Sequence, residues 1–264
     1  SDYYAKNYGQ IAQKINNKII ESSSKMILNM GNDAYDNLLG IKHVVANMPH
    51  IYSGIQLKDI IELNKGKNKT AIIASTGPSL NNQIELLRKV APHALILIPD
   101  ASYHVLKING IKPDFVTTME RVEKTSEFFQ SEPSQFDDNI IFIAASLTHP
   151  QTSKNLQNRN RCYAHRPIRF EFILKDDIPF MCKGPSSAHF ALDMALNLKC
   201  ERIIFIGQDL AFAKDGSSHA KGNIFENYIK EDGTITINPN ARQRPQTAIA
   251  YGGEGEVKST DVWN

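Results

Sequence analysis

The sequence predicts an α/β fold, a Rossmann-like and mostly parallel sheet with helices on both faces, preceded by a helical N-terminal segment. From Thr70 onward, short apolar β-branched runs alternate with amphipathic helical patterns. Two of these runs end in glycine loops, and the residues before Thr70 show helical spacing alone. Because strands that alternate with helices form βαβ units, the sheet they build is parallel and covered on both faces.

Composition narrows the class of protein. The chain has 264 residues, which suits one large domain or one domain with an appendage. A hydrophobic fraction of 41% is typical of a globular protein, and a net charge of +2 gives no ground for a nucleic-acid partner. The 3 cysteines (Cys162, Cys182 and Cys200) are odd in number and widely spaced, which predicts reduced thiols and no metal site.

Targeting signals are not evident. No apolar run approaches the ~20 residues that span a bilayer, and the N-terminus lacks a secretory signal. We therefore expect a cytoplasmic protein without membrane insertion. The sequence begins at Ser1 and stops at Asn264 without a closing element, so we also expect a piece of a longer protein.

The first 64 residues are predicted to form a separate helical segment. Tyr4, Tyr8, Ile11, Ile15 and Ile19 recur at three- and four-residue spacing, which makes one apolar stripe on a helix. A second helical pattern covers 33–47 and is predicted to stop at the proline that follows Met48. Residues 65–264 are then expected to be the Rossmann-like domain.

The elements of that domain follow in order. Each predicted strand is a short run containing apolar, β-branched or aromatic residues, and each helix has apolar residues at three- and four-residue spacing. The predicted strands are 70–75, 94–98, 114–119, 139–144, 161–164 and 202–206. The predicted helices are 80–90, 103–109, 122–129 and 186–198. The stretch 214–264, rich in Gly, Asn, Ser and Lys, is expected to be mainly loops or a lid.

The turn after the first strand, formed by Thr76, Gly77, Pro78 and Ser79, is the predicted phosphate loop. Backbone N–H groups at a helix N-terminus point at an anion, and the helix dipole favours negative charge there. The alternative is an ordinary strand-to-helix turn in which Ser79 caps the helix. The loop lacks the Gly-Lys-Ser/Thr of a P-loop, and no GxGxxG dinucleotide fingerprint is present.

Other polar residues follow later strands, and ligands of open α/β sheets bind at these carboxyl ends. Asp100 could accept from a ribose hydroxyl or cap a helix, and Glu120 could contact ligand or form a surface ion pair with Arg121. Asp209 follows a strongly apolar strand, and its alternative role is to hold neighbouring loop N–H groups. His219 lies in a polar loop, where it could meet a phosphate, donate a proton or be idle.

A second set of donors opens the helix at 186–198, where Gly184, Ser186 and Ser187 precede or begin the helical pattern. Gly207 and Gln208 directly precede Asp209 at the end of the last predicted strand. These groups are far apart in sequence and are brought to one edge by the predicted fold.

Three runs carry a family resemblance. Residues 76–80 (TGPSL), 110–115 (GIKPDF) and 206–211 (IGQDLA), with the later Ser-His-Ala ending at Ala220, resemble the motility accessory factor (Maf) family. Its members are bacterial flagellin glycosyltransferases, whose central domain resembles the sialyltransferases of glycosyltransferase family 42. The resemblance spans 40–264 and is most specific in 206–211.

The resemblance implies transfer of a nonulosonic acid (pseudaminic, legionaminic or sialic acid) from a CMP-activated donor to Ser or Thr hydroxyls of flagellin, in support of flagellar assembly and motility. It implies that residues 77–79 hold the CMP phosphate, that Gly184, Ser186 and Ser187 line the same pocket, and that residues 207–209 close the nucleotide side. His219 matches a sialyltransferase tyrosine that contacts the departing phosphate. No cofactor is expected beyond the CMP-sugar donor, and no ligand cluster for a divalent metal is indicated.

One departure from the sialyltransferases concerns the base. Their catalytic histidine aligns with Glu256 of this chain, so a carboxylate would serve as base if its pKa is suitable. With His219 and Asp209, Glu256 completes the predicted catalytic set.

Two alternatives remain open. A related pterin diphosphokinase would use ATP and Mg²⁺, with Asp100, Glu120 and Asp209 as possible metal ligands. A non-catalytic module that binds nucleotide or flagellin would dock through the N-terminal helices, and Tyr3, Tyr4 and Tyr8 would then be exposed.

Overall fold

The chain divides into two compact units. The computed structural model describes residues 2–29, 34–167, 171, 174, 176–225, 245–250 and 255–260. The units are Ser1–Ile41 and Lys42–Asn264. The sequence pattern predicts a boundary at residue 64, whereas the compact units group residues 42–64 with the sheet.

The larger unit contains a six-stranded parallel sheet, which confirms the predicted fold class. Its strands have the spatial order β5-β4-β3-β2-β1-β6, and every neighbouring pair is parallel. The strands are β1 (Thr70–Ala74), β2 (Leu95–Pro99), β3 (Phe115–Thr118), β4 (Ile141–Ala145), β5 (Arg161–Ala164) and β6 (Arg202–Ile206). The order places β1 between β2 and β6, so the chain reverses its direction of growth across β1.

Helices connect most of these strands. The α-helices are α1 (Asp2–Asn29), α2 (Ala34–Ser53), α3 (Leu57–Asn64), α4 (Leu80–Val90), α5 (Asp100–Ile108), α6 (Pro150–Asn155) and α7 (Ser187–Asn197). Short 3₁₀ helices cover Ala91–His93, Glu123–Phe129 and Gln135–Asp137. The predicted helix at 122–129 is therefore of the tighter 3₁₀ type.

Two apolar clusters cover the two faces of the sheet. On one face, α3 and α7 contribute Leu57, Phe190 and Met194, all buried. On the other face, α4 and α5 contribute Leu80 and Tyr103 to a separate cluster. Because both faces are covered, the polar groups of the site are confined to the strand ends and their loops.

One prediction about local structure is wrong, and another missed a pair of strands. The second helix continues through Pro49 to Ser53, because tertiary contacts fix its C-terminal half: Val44 and Ile51 are buried in the larger unit. The stretch expected to be loops contains an antiparallel pair, β7 (Pro245–Ile249) and β8 (Glu256–Thr260), whose alternation is too polar to identify from sequence.

Four residues of the stripe predicted on α1 are exposed, while the side chains of Tyr3 and Tyr4 lie outside the described part of the chain. Tyr8, Ile11, Ile15 and Ile19 are all exposed. No helix in the described part of the chain is long and apolar enough to cross a membrane.

Candidate functional site

A cavity opens between the carboxyl ends of β1 and β6, which is the point where the order of the strands reverses. Open α/β sheets bind ligands at this place. The cavity has a volume of about 140 Å³. We call it the switch-point cavity, and its lining residues are Ser75, Thr76, Gly77, Gly207, Gln208, Asp209, Leu210, Ser218 and His219.

Glycine is required where the two loops of this cavity meet. The Gly77 N–H donates to the Gly207 carbonyl oxygen at 2.6 Å, so the loops touch through their backbones. A Cβ atom on Gly77 would lie 2.5 Å from that oxygen, and one on Gly207 would overlap the Ser75 carbonyl oxygen. Gly207 also has a φ of 64°, in the left-handed region that favours glycine. The floor of the cavity is therefore backbone, which a ligand can approach closely.

The Asp209 carboxylate is bound to the start of α4. Its Oδ2 accepts from the Ser79 N–H at 2.7 Å and its Oδ1 accepts from the Ser79 hydroxyl at 2.5 Å. Ser79 occupies the N-cap position of α4, but its side chain makes no capping bond within the helix. The chain thus supplies its own anion to the helix N-terminus, where the sequence predicts a phosphate.

The predicted phosphate loop is divided by this contact. Thr76 and Gly77 line the switch-point cavity, whereas Pro78 and Ser79 line a separate cavity on the other side of Asp209. Asp209 therefore performs the alternative role named from the sequence, which is to hold neighbouring loop groups.

A strap, residues 212–225, crosses the carboxyl edge and brings His219 to the cavity. The Ala220 N–H donates to the Thr76 carbonyl oxygen at 2.7 Å, and the Asn223 amide donates to the Ala101 carbonyl oxygen at 3.0 Å. The His219 Nδ1 lies 2.6 Å from the Ser218 hydroxyl. The strap is tied to the loop after β1 and to the first turn of α5, so the imidazole has a fixed place at the cavity wall.

A second polar cluster lies at the ends of β2 and β3. Asp100 is buried and begins α5, where its Oδ2 accepts from the Thr118 hydroxyl at 2.7 Å and its Oδ1 from the Ala101 N–H at 2.9 Å. Burial raises the pKa of Asp100 to about 7, and the nearby charge of Glu120 acts in the same direction. Burial also raises the pKa of Glu120, against the attraction of Arg166 and Arg121.

The start of α7 closes this second cluster. Thr117 donates from its hydroxyl to the Ser187 carbonyl oxygen at 2.8 Å, and the Ser187 side chain contacts Asp100. The Ser186 hydroxyl lies 2.7 Å from the His189 Nδ1, and a Cβ atom on Gly184 would overlap the His189 side chain. The donors predicted at this helix start are thus arranged around His189 and Asp100.

The structure brings some of the predicted site residues together and leaves others apart. Thr76, Gly77, Gly207, Gln208, Asp209 and His219 share the switch-point cavity. Asp100, Glu120 and Ser187 share the second cluster. Glu256 is exposed on β8 and lines neither cavity described in this section.

Sequence reasoning missed a third group at the ends of β4 and β5. The buried Glu171 carboxylate accepts from the Ser146 hydroxyl, and His165 Nε2 lies 2.9 Å from an oxygen of Asp176. Burial alone would lower the pKa of His165, but Glu171 and Asp176 outweigh it and raise that pKa. His165 directly follows the predicted strand 161–164, and Ser146 lies two residues after the predicted strand 139–144, so the strand-end rule points to this group as well.

Among the described residues, no three His, Cys, Asp or Glu side chains come together as ligands of one metal ion.

Comparison with known families gives one match that covers most of the chain. Residues 42–215 match the family model described as "6-hydroxymethylpterin diphosphokinase MptE-like". No curated protein matches this chain.

Among solved structures, the chain is similar to the MAf glycosyltransferase from Magnetospirillum magneticum AMB-1. The TM-score is 0.51 at 17% sequence identity, and the similarity covers 74% of this chain and 28% of that one. The chain thus spans less than a third of the length of that enzyme, and the likeness at this identity concerns the fold.

Proposed function

We propose that this chain, which belongs to the MptE-like family, is a CMP-sugar-dependent glycosyltransferase. Its donor is a CMP-activated nonulosonic acid, and its acceptors are Ser or Thr hydroxyls of flagellin. The observation that carries the proposal is the switch-point cavity, with its backbone floor and His219 at its wall.

The cavity suits the phosphate end of a nucleotide. Its volume of about 140 Å³ limits it to a small group, and the glycine loops let backbone approach that group closely. An imidazole beside the phosphate can donate a hydrogen bond to an oxygen whose charge grows as the sugar leaves. Of the predicted catalytic residues, His219 is placed for that role.

The transfer reaction needs a leaving group, an oriented acceptor hydroxyl and a base. The acceptor oxygen bonds to the anomeric carbon of the sugar while the bond from that carbon to the phosphate oxygen breaks, and CMP leaves with the electron pair. The acceptor proton passes to a base in the site. Asp209, at the wall of the cavity, is better placed for this step than the exposed Glu256.

The fold agrees with this assignment. The chain shares its fold with a Maf glycosyltransferase, and the resemblance of residues 206–211 to that family falls on the loop that carries Asp209. Since that enzyme is much longer than this chain, its substrates enter here as part of the proposal.

The name of the matched family gives a second candidate, a pterin diphosphokinase. The second polar cluster favours it, because Asp100 and Glu120 place two carboxyl groups at neighbouring strand ends. These residues would hold the Mg²⁺ that accompanies ATP, and Mg²⁺ prefers such oxygen ligands.

Calorimetric titration with CMP and, separately, with ATP–Mg²⁺ distinguishes the two. We expect CMP to bind and His219→Ala to weaken its binding about 10- to 150-fold, since a hydrogen bond to a charged group contributes roughly 1.5–3 kcal/mol. His93→Ala, an exposed histidine elsewhere, is the matched control. Binding of ATP–Mg²⁺ without CMP would favour the diphosphokinase.

A further inference from the structure

A larger cavity adjoins the switch-point cavity, and Asp209 lines both. We call it the outer cavity, and its volume is about 390 Å³. Its lining residues are Pro78, Ser79, Asn82, Asp209, Ala211, Phe212, Ala213 and Val257. The bonded pair of Ser79 and Asp209 therefore forms the partition between two neighbouring spaces.

The walls of the outer cavity come from three parts of the larger unit. The first turn of α4 and the loop before it provide one wall. The start of the strap provides the second wall, and β8 provides the third. These two walls are joined because the Phe212 N–H donates to the Lys258 carbonyl oxygen at 2.8 Å. The Ser259 hydroxyl also donates to the Leu210 carbonyl oxygen at 2.7 Å. The hairpin thus fixes the strap segment that bears the lining residues.

The position of Asp209 follows from the backbone on either side. Gly207 and Leu210 both have left-handed φ values, 64° and 51°. Such a value is uncommon for a leucine and marks a tightly curled loop. The curl turns the Asp209 carboxylate toward α4, where it borders both cavities.

The lining of the outer cavity has a distinct chemistry. Asp209 is the charged residue among those that line it, and Ser79 and Asn82 add neutral polar groups. Pro78, Phe212 and Val257 are apolar. Unlike the switch-point cavity, this lining has no glycine loop and no imidazole that could contact a phosphate, whereas a carboxylate beside apolar walls suits a hydroxyl flanked by small apolar groups.

We propose that the outer cavity is the acceptor site and binds a polypeptide segment that presents a Ser or Thr hydroxyl to Asp209. The inference rests on the proposed function and adds the place and the recognition of the second substrate. An ionised carboxylate offers about four lone-pair sites, so Asp209 can accept from the acceptor hydroxyl while it keeps both bonds from Ser79. The hydroxyl is then held at the partition, beside the carboxylate that would accept its proton.

The test fills the outer cavity without touching the switch-point cavity. Ala211→Leu and Ala213→Leu each add bulk to the outer lining, and neither residue lines the other cavity. Ala94→Leu is the matched control, because Ala94 lines an unrelated apolar cavity beside α4. The probe is a fluorescent nonapeptide with one serine among alanines and valines, and its partner peptide has alanine in place of the serine.

We measure peptide binding by anisotropy and CMP binding by calorimetry on the same preparations. The expected result is that the serine peptide binds the parent chain about tenfold more tightly than the alanine peptide. Both filled variants should lose about tenfold in peptide affinity while their CMP affinity stays within about twofold. Ala94→Leu should change neither.

Equal binding of the two peptides, no peptide binding, or unchanged binding in both filled variants overturns the acceptor site. A parent chain that binds the serine peptide but not CMP overturns the proposed donor and leaves the hydroxyl site supported. Failure of the acceptor site is therefore measured with the peptides, and failure of the proposed donor is measured with CMP.

Discussion

Ser79 and Asp209 lie 130 residues apart in the chain, yet the Ser79 hydroxyl donates to Asp209 Oδ1 at 2.5 Å and its N–H donates to Oδ2. The pair joins the loop after β1 to the loop after β6. The pair occupies the N-terminus of α4 with a carboxylate. A phosphate in the switch-point cavity therefore binds beside that carboxylate and not at the helix N-terminus itself. The predictions below follow from this arrangement and from its neighbours.

Asp209→Asn should bind CMP more tightly than the parent, by about two- to tenfold at low salt, because a negative charge is removed beside the phosphate. The same change should lower the free energy of unfolding by about 1–3 kcal/mol, since an amide cannot accept both Ser79 donors with equal geometry. Calorimetry and urea unfolding measure the two effects. The exposed Asp59→Asn on α3 is the control, and weaker CMP binding in Asp209→Asn would contradict the placement of the phosphate.

Gly207→Ala should lose the switch-point cavity, and Gly110→Ala should not. The two glycines have nearly the same φ, 64° and 66°. A Cβ atom on Gly110 meets nothing within 4 Å, whereas one on Gly207 overlaps the Ser75 carbonyl oxygen. Gly110→Ala should therefore cost about 1 kcal/mol, for its backbone conformation alone, and Gly207→Ala about 2 kcal/mol more.

Urea unfolding of both variants, followed by CMP titration, separates the backbone effect from the overlap. Similar losses of stability in the two variants would mean that the loops after β1 and β6 can move apart without lowering the free energy of unfolding further.

The free energy of unfolding should fall as pH rises from about 4 to 7, because Asp100 is a buried acid. Its pKa is near 3.8 when unfolded and is raised to about 7 in the fold. Over that range the folded chain binds the extra proton, so raising the pH favours the unfolded chain by up to about 4 kcal/mol.

Asp100→Asn keeps an acceptor for Thr118 or Ala101 and removes the charge, so its stability should depend less on pH in this window. Urea unfolding of the parent and the variant at several pH values checks this. A parent slope that Asp100→Asn does not reduce would mean that another group causes it.

Asn47→Ala should lower the free energy of unfolding by about 2–4 kcal/mol. The Asn47 amide is fully buried and donates to the Ser146 and Thr148 carbonyl oxygens at 2.9 and 2.8 Å, so alanine leaves both oxygens unpaired. The exposed Asn197→Ala on α7 is the control, since its amide donates to a carbonyl of its own helix at 2.8 Å. Similar losses in the two variants would show that the two bonds from Asn47 contribute no more than a bond within one helix.

The strands of the sheet could be predicted from the sequence, because the position and ends of a buried strand depend on the local pattern of apolar residues. The ranges predicted for β5 and β6 match the structure, and β1 differs by one residue at its end. The predicted end of α2 was wrong because the penalty for a proline inside a helix is a local effect. The contacts of Val44 and Ile51 outweigh that penalty at Pro49, and they come from the packed domain.

The site could be predicted only in part, because some of its contacts depend on the packed domain and not on local sequence. The strand-end rule placed Thr76 and Gly207 at one edge, and the family resemblance implied a phosphate contact for His219. The structure puts all three on one cavity. The bond from Ser79 to Asp209 could not be predicted, because it depends on the register of β1 against β6 and on the curl of a single loop. The β7–β8 pair that walls the outer cavity carries too little apolar alternation to be recognised.

The pairing of β1 with β6 has a kinetic consequence. Strands β1 to β5 can assemble from connections between consecutive segments, but β6 must return across the whole domain to reach its place beside β1. Contacts between distant segments form slowly, because the closing of a long loop precedes any gain from them. We expect the switch-point cavity to form last during refolding, with a ligand present at that moment stabilising the final docked strand.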